Sequence, residues 1–272
     1  MAGVQSVRRL EGRIALITGT GGGSRGGIGR AAALVFAEQG AKVVGCDIDP
    51  VSGAKTVELV TAAGGAMKSL HPLDLSDEKS IPRLIDFAVE CYGGFDILFN
   101  NAAMFKRFNL ETATREAWNF SVDNELTLML MAAKAAMPVL AGRRGANIIN
   151  MGSMAGLFGH APGALAHNIL KAAVIRMSEL LAIECAGRGV RVNTVSPGVI
   201  SNPELSNPQR DAYFEKTNLL NRLIHPRDVA LAALYLASDD AASVTGANLI
   251  VDGGFIISGG QGTAMFPEKL DY

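Results

Sequence analysis

Short, almost wholly apolar segments recur along the chain, and a longer stretch with helix-like apolar spacing follows most of them. Continuous apolar runs are typical of strands buried on both faces of a parallel sheet, and the stretches between them are typical of crossover helices. The pattern predicts seven strands, over residues 14–17, 42–46, 66–70, 97–100, 147–151, 191–195 and 248–251.

Helices are predicted between these strands, and candidate start signals precede two of them. Ser76 and Asp77 come before one helix, and Thr112, with Glu116 close behind it, comes before another. The pattern favours a single α/β domain over residues 1–272, a Rossmann-type doubly wound parallel sheet with helices on both faces. The predicted helices cover residues 30–39, 51–63, 77–91, 117–140, 163–186 and 227–238.

Residues 201–226 form the least regular stretch, rich in Pro and Asn, with a helical piece around residues 210–216. Lids and binding loops commonly lie in long excursions near the carboxyl end of a strand, so we expect a lid-like segment here. A surface loop without a function is the alternative.

The bulk composition is that of a core-rich globular protein, with 272 residues, 49% hydrophobic, 19% charged and a net charge of −1. Such a charge balance does not indicate a nucleic-acid partner. The longest apolar runs are too short to span a bilayer, and the first residues lack the apolar core of a signal peptide. We therefore expect a cytoplasmic protein with neither a membrane nor a nucleic-acid partner.

The cysteines Cys46, Cys91 and Cys185 are odd in number and lie far apart, without metal-ligand spacing. This arrangement favours free core thiols in a reducing compartment over disulfides. No metal site and no catalytic thiol is predicted.

The segment from residue 14 to residue 47 carries the strongest chemical signal. An apolar strand leads into a glycine-rich turn, then a helix of small and apolar residues, then a second strand that ends on Asp47. Glycines let the backbone approach a pyrophosphate, a helix N-terminus supplies N–H groups, and a carboxylate at this spacing accepts hydrogen bonds from a ribose diol. The combination predicts a dinucleotide site, and a glycine-rich loop that only turns the chain is the alternative.

Five motifs in order resemble those of the short-chain dehydrogenase/reductase family, over about residues 10–255. They are TG…GIG (Thr18, Gly19, Gly27, Ile28, Gly29), the pair Asp74 and Leu75, NNAA at 100–103, RVNTVSPG at 191–198 and VDGG at 251–254. The resemblance implies a small-molecule substrate and a nicotinamide cofactor across the carboxyl edge of the sheet. It also implies a homo-oligomer, a dimer or tetramer, that packs through the helices at 117–140 and 163–186. The cofactor-binding positions it implies are Thr18, Gly19, Gly27, Ile28, Gly29, Asp47, Asp74, Leu75, Asn101, Ala102, Lys171, Pro197, Gly198, Ile200 and Asn202.

The phosphate turn departs from the family pattern by an insertion. Seven residues separate Gly19 from Gly27, where the family usually has three, and Arg25 is one of them. An Arg at this place would meet the 2′-phosphate of NADP, whereas the Asp47 carboxylate repels that phosphate and binds the free diol of NAD. We therefore expect NAD as the cofactor, and the alternative for Arg25 is a solvated surface charge.

The second departure concerns the active site that the resemblance implies. The family places a Tyr one helical turn before a Lys, so that both lie on one face. Here the matching string is HNILK, from His167 to Lys171, and no Tyr lies between Tyr92 and Tyr213. The chain is therefore an atypical member of the family that it resembles.

Two further positions of the family's site carry over. Ser153 matches the family serine, and the family asparagine falls on Glu125. A slip of one residue in the alignment would put Asn124 there instead. Glu125 would balance the charge of the site or continue a proton relay to water.

The resemblance assigns Ser153 to the carbonyl oxygen and Lys171 to the nicotinamide ribose. For His167 two interpretations stand open, an acid/base in the place of Tyr, or a structural or substrate-contacting residue. Histidine titrates near ~6.5 when unperturbed, which suits removal of a proton from an alcohol, the oxidative direction.

Three functions follow from this set of residues. The first is an NAD-dependent dehydrogenase/reductase that interconverts a secondary alcohol and a ketone. The second is a cofactor-binding protein that catalyses elimination, isomerisation or cyclisation without net redox, and the third is a non-catalytic binding protein. The cofactor motifs favour the first two, and the missing Tyr moves weight toward the second. Apolar residues flank the predicted site and indicate a lipophilic or cyclic substrate, with ordinary core packing as the alternative. They are Met104, Phe105, Met154, Leu157 and Phe158.

Overall fold

The computed structural model describes residues 8–22, 27–159, 163–201 and 207–262. Within these ranges the strands form one parallel sheet of seven, in the order β3-β2-β1-β4-β5-β6-β7. The strands are β1 (Ile14–Thr18), β2 (Lys42–Cys46), β3 (Ala66–Leu70), β4 (Ile97–Asn100), β5 (Asn147–Met151), β6 (Arg191–Pro197) and β7 (Asn248–Val251). All seven predicted strands are confirmed, with extensions at the ends of β1 and β6.

The strand order reverses between β1 and β4, which lie side by side in the sheet. From β1 the chain winds outward through β2 to β3, and then returns to build β4 to β7 on the other side. Ligands of open α/β sheets bind in the crevice outside the carboxyl ends of the strands at such a reversal. The topology therefore predicts the ligand crevice at the residues that follow β1 and β4.

Helices cover both faces of the sheet, as predicted. They are α1 (Ile28–Glu38), α2 (Pro50–Ala62), α3 (Ser80–Tyr92), α4 (Arg115–Val122), α5 (Leu128–Leu140), α6 (Leu165–Ala186), α7 (Pro208–Lys216) and α8 (Pro226–Ala237). A single π-helical turn, Asp123–Thr127, joins α4 to α5. The structure therefore divides the predicted helix over residues 117–140 into α4 and α5, which this π turn joins.

Alternate residues of each strand face opposite halves of the core, as the pleat requires. In β1, Ala15 and Ile17 pack in the half formed with α1 and α8, while Leu16 packs in the half formed with α3 and α5. Phe99 and Leu98 of β4 divide in the same way. This two-sided burial explains why the strands are apolar without alternation.

Two predicted helix starts are wrong by a few residues, for a local reason. The Asp77 carboxylate accepts the Lys79 N–H at 3.0 Å and makes a turn, so α3 begins only at Ser80. Thr114, rather than Thr112, caps α4, because its hydroxyl accepts the Ala117 N–H at 3.1 Å. Glu116 lies in the first turn of α4, as expected.

The excursion after β6 begins and ends at one point of the sheet edge. Ile200 pairs with Ile224 in an isolated bridge, and the Ser201 N–H donates to the Ile224 carbonyl at 2.8 Å. The predicted helical piece around residues 210–216 is confirmed as α7. The excursion therefore starts at the carboxyl edge, where a lid would lie, and the lid function itself remains a prediction.

Candidate active site

The glycine-rich turn after β1 closes tightly on the start of α1. Gly19 and Gly27 both have positive φ, 71° and 68°, in the left-handed region that favours glycine. A Cβ on Gly29 would overlap the Gly19 carbonyl oxygen and lie 2.6 Å from the Asn101 amide nitrogen. Gly27 has no side chain to cap α1, and among the described residues no other side chain caps the first N–H groups, which can bind an anion at the positive end of the helix.

Residues at the end of β4 hold this turn in place. The Thr18 hydroxyl accepts the N–H groups of Asn101 and Ala102, both at 3.0 Å. In return, the Asn101 amide donates to the Thr18 and Gly19 carbonyls, also at 3.0 Å. The structure thus brings these predicted cofactor residues together, and the Asn101 amide is used to fix the turn.

Asp47 lies at the end of β2, beside the turn. One carboxylate oxygen accepts the Gly21 N–H at 2.6 Å, and the other accepts the Asp49 N–H at 2.9 Å. The residue is half-buried. Its position beside the turn is the one a ribose-binding carboxylate needs.

Arg30 binds the same turn at Gly21, a contact that the sequence did not predict. Its guanidinium donates to the Gly21 carbonyl, to the Thr56 hydroxyl at 3.0 Å and to the Ser52 hydroxyl at 3.0 Å. A cation in the first turn of a helix is unfavourable next to the positive helix end, so its presence indicates a local acceptor. That conflict was the signal available in the sequence.

The remaining predicted cofactor residues lie at the ends of β3 and β6. The exposed Asp74 carboxylate accepts the N–H and hydroxyl of Ser76, while Leu75 packs partly against the core. Pro197 ends β6, and a Cβ on Gly198 would lie 2.9 Å from the Asp252 Cα. Ile28 opens α1, and Ile200 is held by its bridge. Asn202 and Arg25 lie outside the described residues.

Ser153 follows β5 in an extended conformation and caps a short 3₁₀ turn, Met154–Gly156. Its hydroxyl oxygen accepts the Ala155 N–H at 3.1 Å, which leaves the hydroxyl proton for another acceptor. A Cβ on Gly156 would lie 2.5 Å from the Lys171 carbonyl carbon. Glycine therefore lets the turn of Ser153 pack directly on α6.

Glu125 lies in the π turn and is almost wholly buried, with 1% of its side chain exposed. One of its carboxylate oxygens is 2.7 Å from His167 Nδ1 and 3.9 Å from Lys171 Nζ. Lys171 Nζ donates to the Met151 carbonyl at 2.9 Å. The amide of Asn124 donates to the Phe120 carbonyl of its own helix, so Glu125 is the residue that reaches His167 and Lys171.

The His167 ring is covered on one face by Phe105. The two ring centroids are 4.5 Å apart and the planes differ by 21°. The loop that carries Phe105 is tied to the π turn by a hydrogen bond from the Met104 N–H to the Asn124 carbonyl, 3.2 Å long. The imidazole is thus fixed by an acidic partner and an aromatic ring from two separate elements.

The cysteines remain outside this chemistry. Burial raises the pKa of the Cys46 thiol to about 12, so the thiol stays protonated beside the glycine turn. Burial also raises the pKa of Cys91 and of Cys185. Cys91 is only half-buried, so the prediction of three core thiols is wrong for that residue.

Across the parts of the chain that the structure describes, no group of three or more His, Cys, Asp or Glu side chains converges as metal ligands would. None of the helices found there combines the length and the apolarity needed to cross a bilayer.

A seven-stranded parallel sheet with a glycine turn at its reversal point defines a Rossmann-type nucleotide-binding protein. The family model described as enoyl-(acyl carrier protein) reductase matches residues 21–256. The chain belongs to the short-chain dehydrogenase/reductase family. Dehydrogenases of this family use nicotinamide cofactors, and the turn, the α1 N-terminus and Asp47 described above fit such a group.

Curated and solved relatives agree with this assignment. The chain is 39% identical to 2,5-dichloro-2,5-cyclohexadiene-1,4-diol dehydrogenase of Sphingobium indicum, covering 92% of this chain and 98% of that protein. It is 34% identical to a 3-oxoacyl-[acyl-carrier-protein] reductase of Thermotoga maritima, covering 92% and 100%. A 7α-hydroxysteroid dehydrogenase solved with NADH and 7-oxo glycochenodeoxycholic acid superposes with a TM-score of 0.84, at 28% identity, covering 91% and 96%.

Proposed function

We propose that this protein is an NAD(H)-dependent oxidoreductase that interconverts a secondary alcohol and a ketone. The observation that carries the proposal is the 2.7 Å contact between His167 Nδ1 and the buried Glu125 carboxylate, beside Lys171. An imidazole held in this way is an acid/base group at the edge of the sheet where the glycine turn would bind a dinucleotide. The site therefore joins cofactor binding to proton transfer.

The bound nicotinamide would supply the hydride acceptor or donor. The chain's own residues would hold the nucleotide, with the pyrophosphate at the N-terminus of α1 and the adenine ribose at Asp47. His167 takes the proton of the alcohol in oxidation and returns it in reduction. Ser153, whose hydroxyl proton is free of its local bond, orients the substrate oxygen, and Lys171 holds a positive charge close by.

A ring-bearing, lipophilic substrate fits the surroundings of the site. Met104 and Leu157 are apolar and exposed, on the loops after β4 and β5 that flank His167 and Ser153. Met154, predicted beside them, is buried in the core instead. Two of the three relatives are named for cyclic alcohols or for a steroid, and the third is named for an acyl chain. We propose a cyclic secondary alcohol as the substrate class.

Exposed apolar residues on the long helix α6 support a homo-oligomer. Ile183, Leu180 and Ile169 are all exposed on this helix. Exposed apolar residues along one helix favour contact with another protein surface. We propose a dimer or tetramer that packs through the long helices.

A second function, proton-transfer chemistry without net redox, is favoured by one observation. The chain has no Tyr between Tyr92 and Tyr213, whereas a Glu125–His167 pair alone suffices for elimination, isomerisation or cyclisation. In that case the nucleotide would be retained without being reduced or oxidised.

One assay separates these functions. Purified protein is given NAD with cyclic secondary alcohols, or NADH with the matching ketones, and both nicotinamide absorbance and substrate loss are followed. A steady absorbance change supports the oxidoreductase, and a linear 3-oxoacyl thioester tested in parallel reports whether the ring matters. Substrate loss at constant absorbance supports the second function, and absence of NAD and NADH binding in calorimetry overturns both.

Replacing Asp47 with alanine is expected to weaken NAD binding by about tenfold, because hydrogen bonds to a charged group contribute about 1.5 kcal/mol or more. The discrimination against NADP should relax in the same variant. The measurement is the dissociation constant of each coenzyme by fluorescence quenching. Asp49→Ser is the matched control, since it removes a neighbouring carboxylate and keeps a cap on α2. An unchanged preference in Asp47→Ala would mean that the ribose is recognised elsewhere.

A further inference from the structure

Glu125 is a buried side chain, and the negative charge of its carboxylate needs partners in the interior. Burying an ionised carboxylate without partners costs several kcal/mol. Its second oxygen, Oε2, makes no hydrogen bond within the described ranges, so the compensation comes through Oε1. The side chain is present at this cost, which indicates a role that an apolar residue would not fill.

The distances decide which partner Glu125 serves. His167 Nδ1 at 2.7 Å is within charge-assisted hydrogen-bond distance, whereas Lys171 Nζ at 3.9 Å is beyond it. Lys171 instead donates to the Met151 carbonyl at 2.9 Å. Glu125 is therefore bonded to the imidazole and acts on the ammonium only through charge.

Hydrogen-bond chemistry links the charge of Glu125 to the protonation of the ring. A Glu125 carboxylate that is ionised only accepts hydrogen bonds, so its partner at 2.7 Å, Nδ1 of His167, would carry the hydrogen. A neutral imidazole protonated on Nδ1 has its lone pair on Nε2. Nε2 makes no hydrogen bond to the part of the chain that the structure describes, and the side chain remains 21% exposed.

We propose that Glu125 is a positioning residue that holds His167 as the Nδ1–H tautomer and thereby presents Nε2 as the proton acceptor for the substrate hydroxyl. This inference rests on the proposed function for its reaction. The O–H bond of the alcohol breaks and an Nε2–H bond forms. The electron pair of the O–H bond becomes the second carbon–oxygen bond, and a bound oxidised nicotinamide would accept the hydride that the same carbon releases.

Charge supports the same assignment. In the proposed step, a carboxylate at Glu125 and an ammonium at Lys171, 3.9 Å apart, offset each other beside a neutral His167 ring. After the step, His167 is a cation whose Nδ1–H already points at a carboxylate 2.7 Å away. Phe105, stacked on the ring, keeps the plane of the imidazole in place while its charge changes. Glu125 and His167 would therefore act together, at the positions where the family has Asn and Tyr.

The tautomer is measurable without cofactor or substrate. Protein labelled with ¹⁵N-histidine has four histidines, and His167→Asn assigns the signals of residue 167. We expect ring nitrogen shifts of the Nδ1–H tautomer in the native protein, and a loss of that preference in Glu125→Gln. Asp123→Asn is the matched control, because it removes an exposed carboxylate from the same π turn. An Nε2–H ring in the native protein, or an equal change in Asp123→Asn, overturns the proposal.

Kinetics give the second measurement. Glu125→Gln is expected to lower kcat by about 10²–10⁴-fold with a smaller change in KM, and Glu125→Asp to recover part of the loss. Because the tautomer is read without turnover, the two ideas fail separately. An Nδ1–H ring in a protein that never reduces NAD sinks the oxidoreductase and leaves the tautomer assignment standing. Unchanged turnover in Glu125→Gln sinks the positioning role alone. If Glu125→Gln does not fold, the test uses Glu125→Asp and the NMR spectrum of the native protein, and an Nε2–H ring in that spectrum overturns the positioning role.

Discussion

Replacing His167 with phenylalanine is expected to lower turnover by about 10²–10⁴-fold, because a positioned general base contributes about that much. The phenyl ring can keep the stacking on Phe105 but has no nitrogen to take the proton. It also leaves the buried Glu125 without its hydrogen bond, which costs about 1–3 kcal/mol or more in stability. Turnover is measured per folded protein, with melting temperature and NADH affinity recorded beside it.

His167→Asn is the variant that separates the two losses. The amide nitrogen of asparagine occupies the place of Nδ1 and can donate to Glu125, but nothing replaces Nε2. We expect both variants to lose turnover and the phenylalanine variant to lose more stability. Wild-type turnover in either variant would make His167 a structural residue, and a water or another side chain would have to move the proton.

The fold was predictable because the strands are buried on both faces. Residues such as Leu16 and Ile17 face opposite halves of the core, so neither can be polar and the strand is a continuous apolar run. Helix ends were less predictable, since a turn such as that of Asp77 with Lys79 uses the same residue types as a cap. Packing of the neighbouring loop decides between the two, and a single sequence does not contain that information.

Part of the site was predictable as well, and the uncertain part has a structural cause. The resemblance put the family's asparagine on Glu125, and a slip of one residue in the alignment would have put it on Asn124 instead. The turn Asp123–Thr127 is π-helical, so it holds one residue more than an α-helical turn and shifts the faces of the helix by about one position. The contact of Glu125 with His167 therefore depends on a local irregularity that apolar spacing does not reveal. The hydrogen-bond partners of Arg30 could not be predicted from the sequence pattern either, because one of them is a backbone carbonyl of the glycine turn.

Replacing Gly29 with alanine is expected to weaken binding of NAD and NADH by about 10²-fold. The added Cβ would overlap the Gly19 carbonyl oxygen, and that oxygen belongs to the backbone, which cannot move without opening the turn. Overpacking against a rigid neighbour costs about 1–3 kcal/mol, and the upper end corresponds to this loss of affinity. Calorimetric titration of both coenzymes measures it.

The control for Gly29→Ala is Gly187→Ala, because Gly187 has negative φ at the end of α6 and no atom within 4 Å of an added Cβ. That variant should bind both coenzymes as the native protein does. The same overpacking destabilises the folded protein by about 1–3 kcal/mol, so the melting temperature is recorded beside the affinity, which should fall in protein that is still folded. Full affinity in Gly29→Ala would mean that the turn opens freely, and the pyrophosphate would then be held elsewhere than at the start of α1.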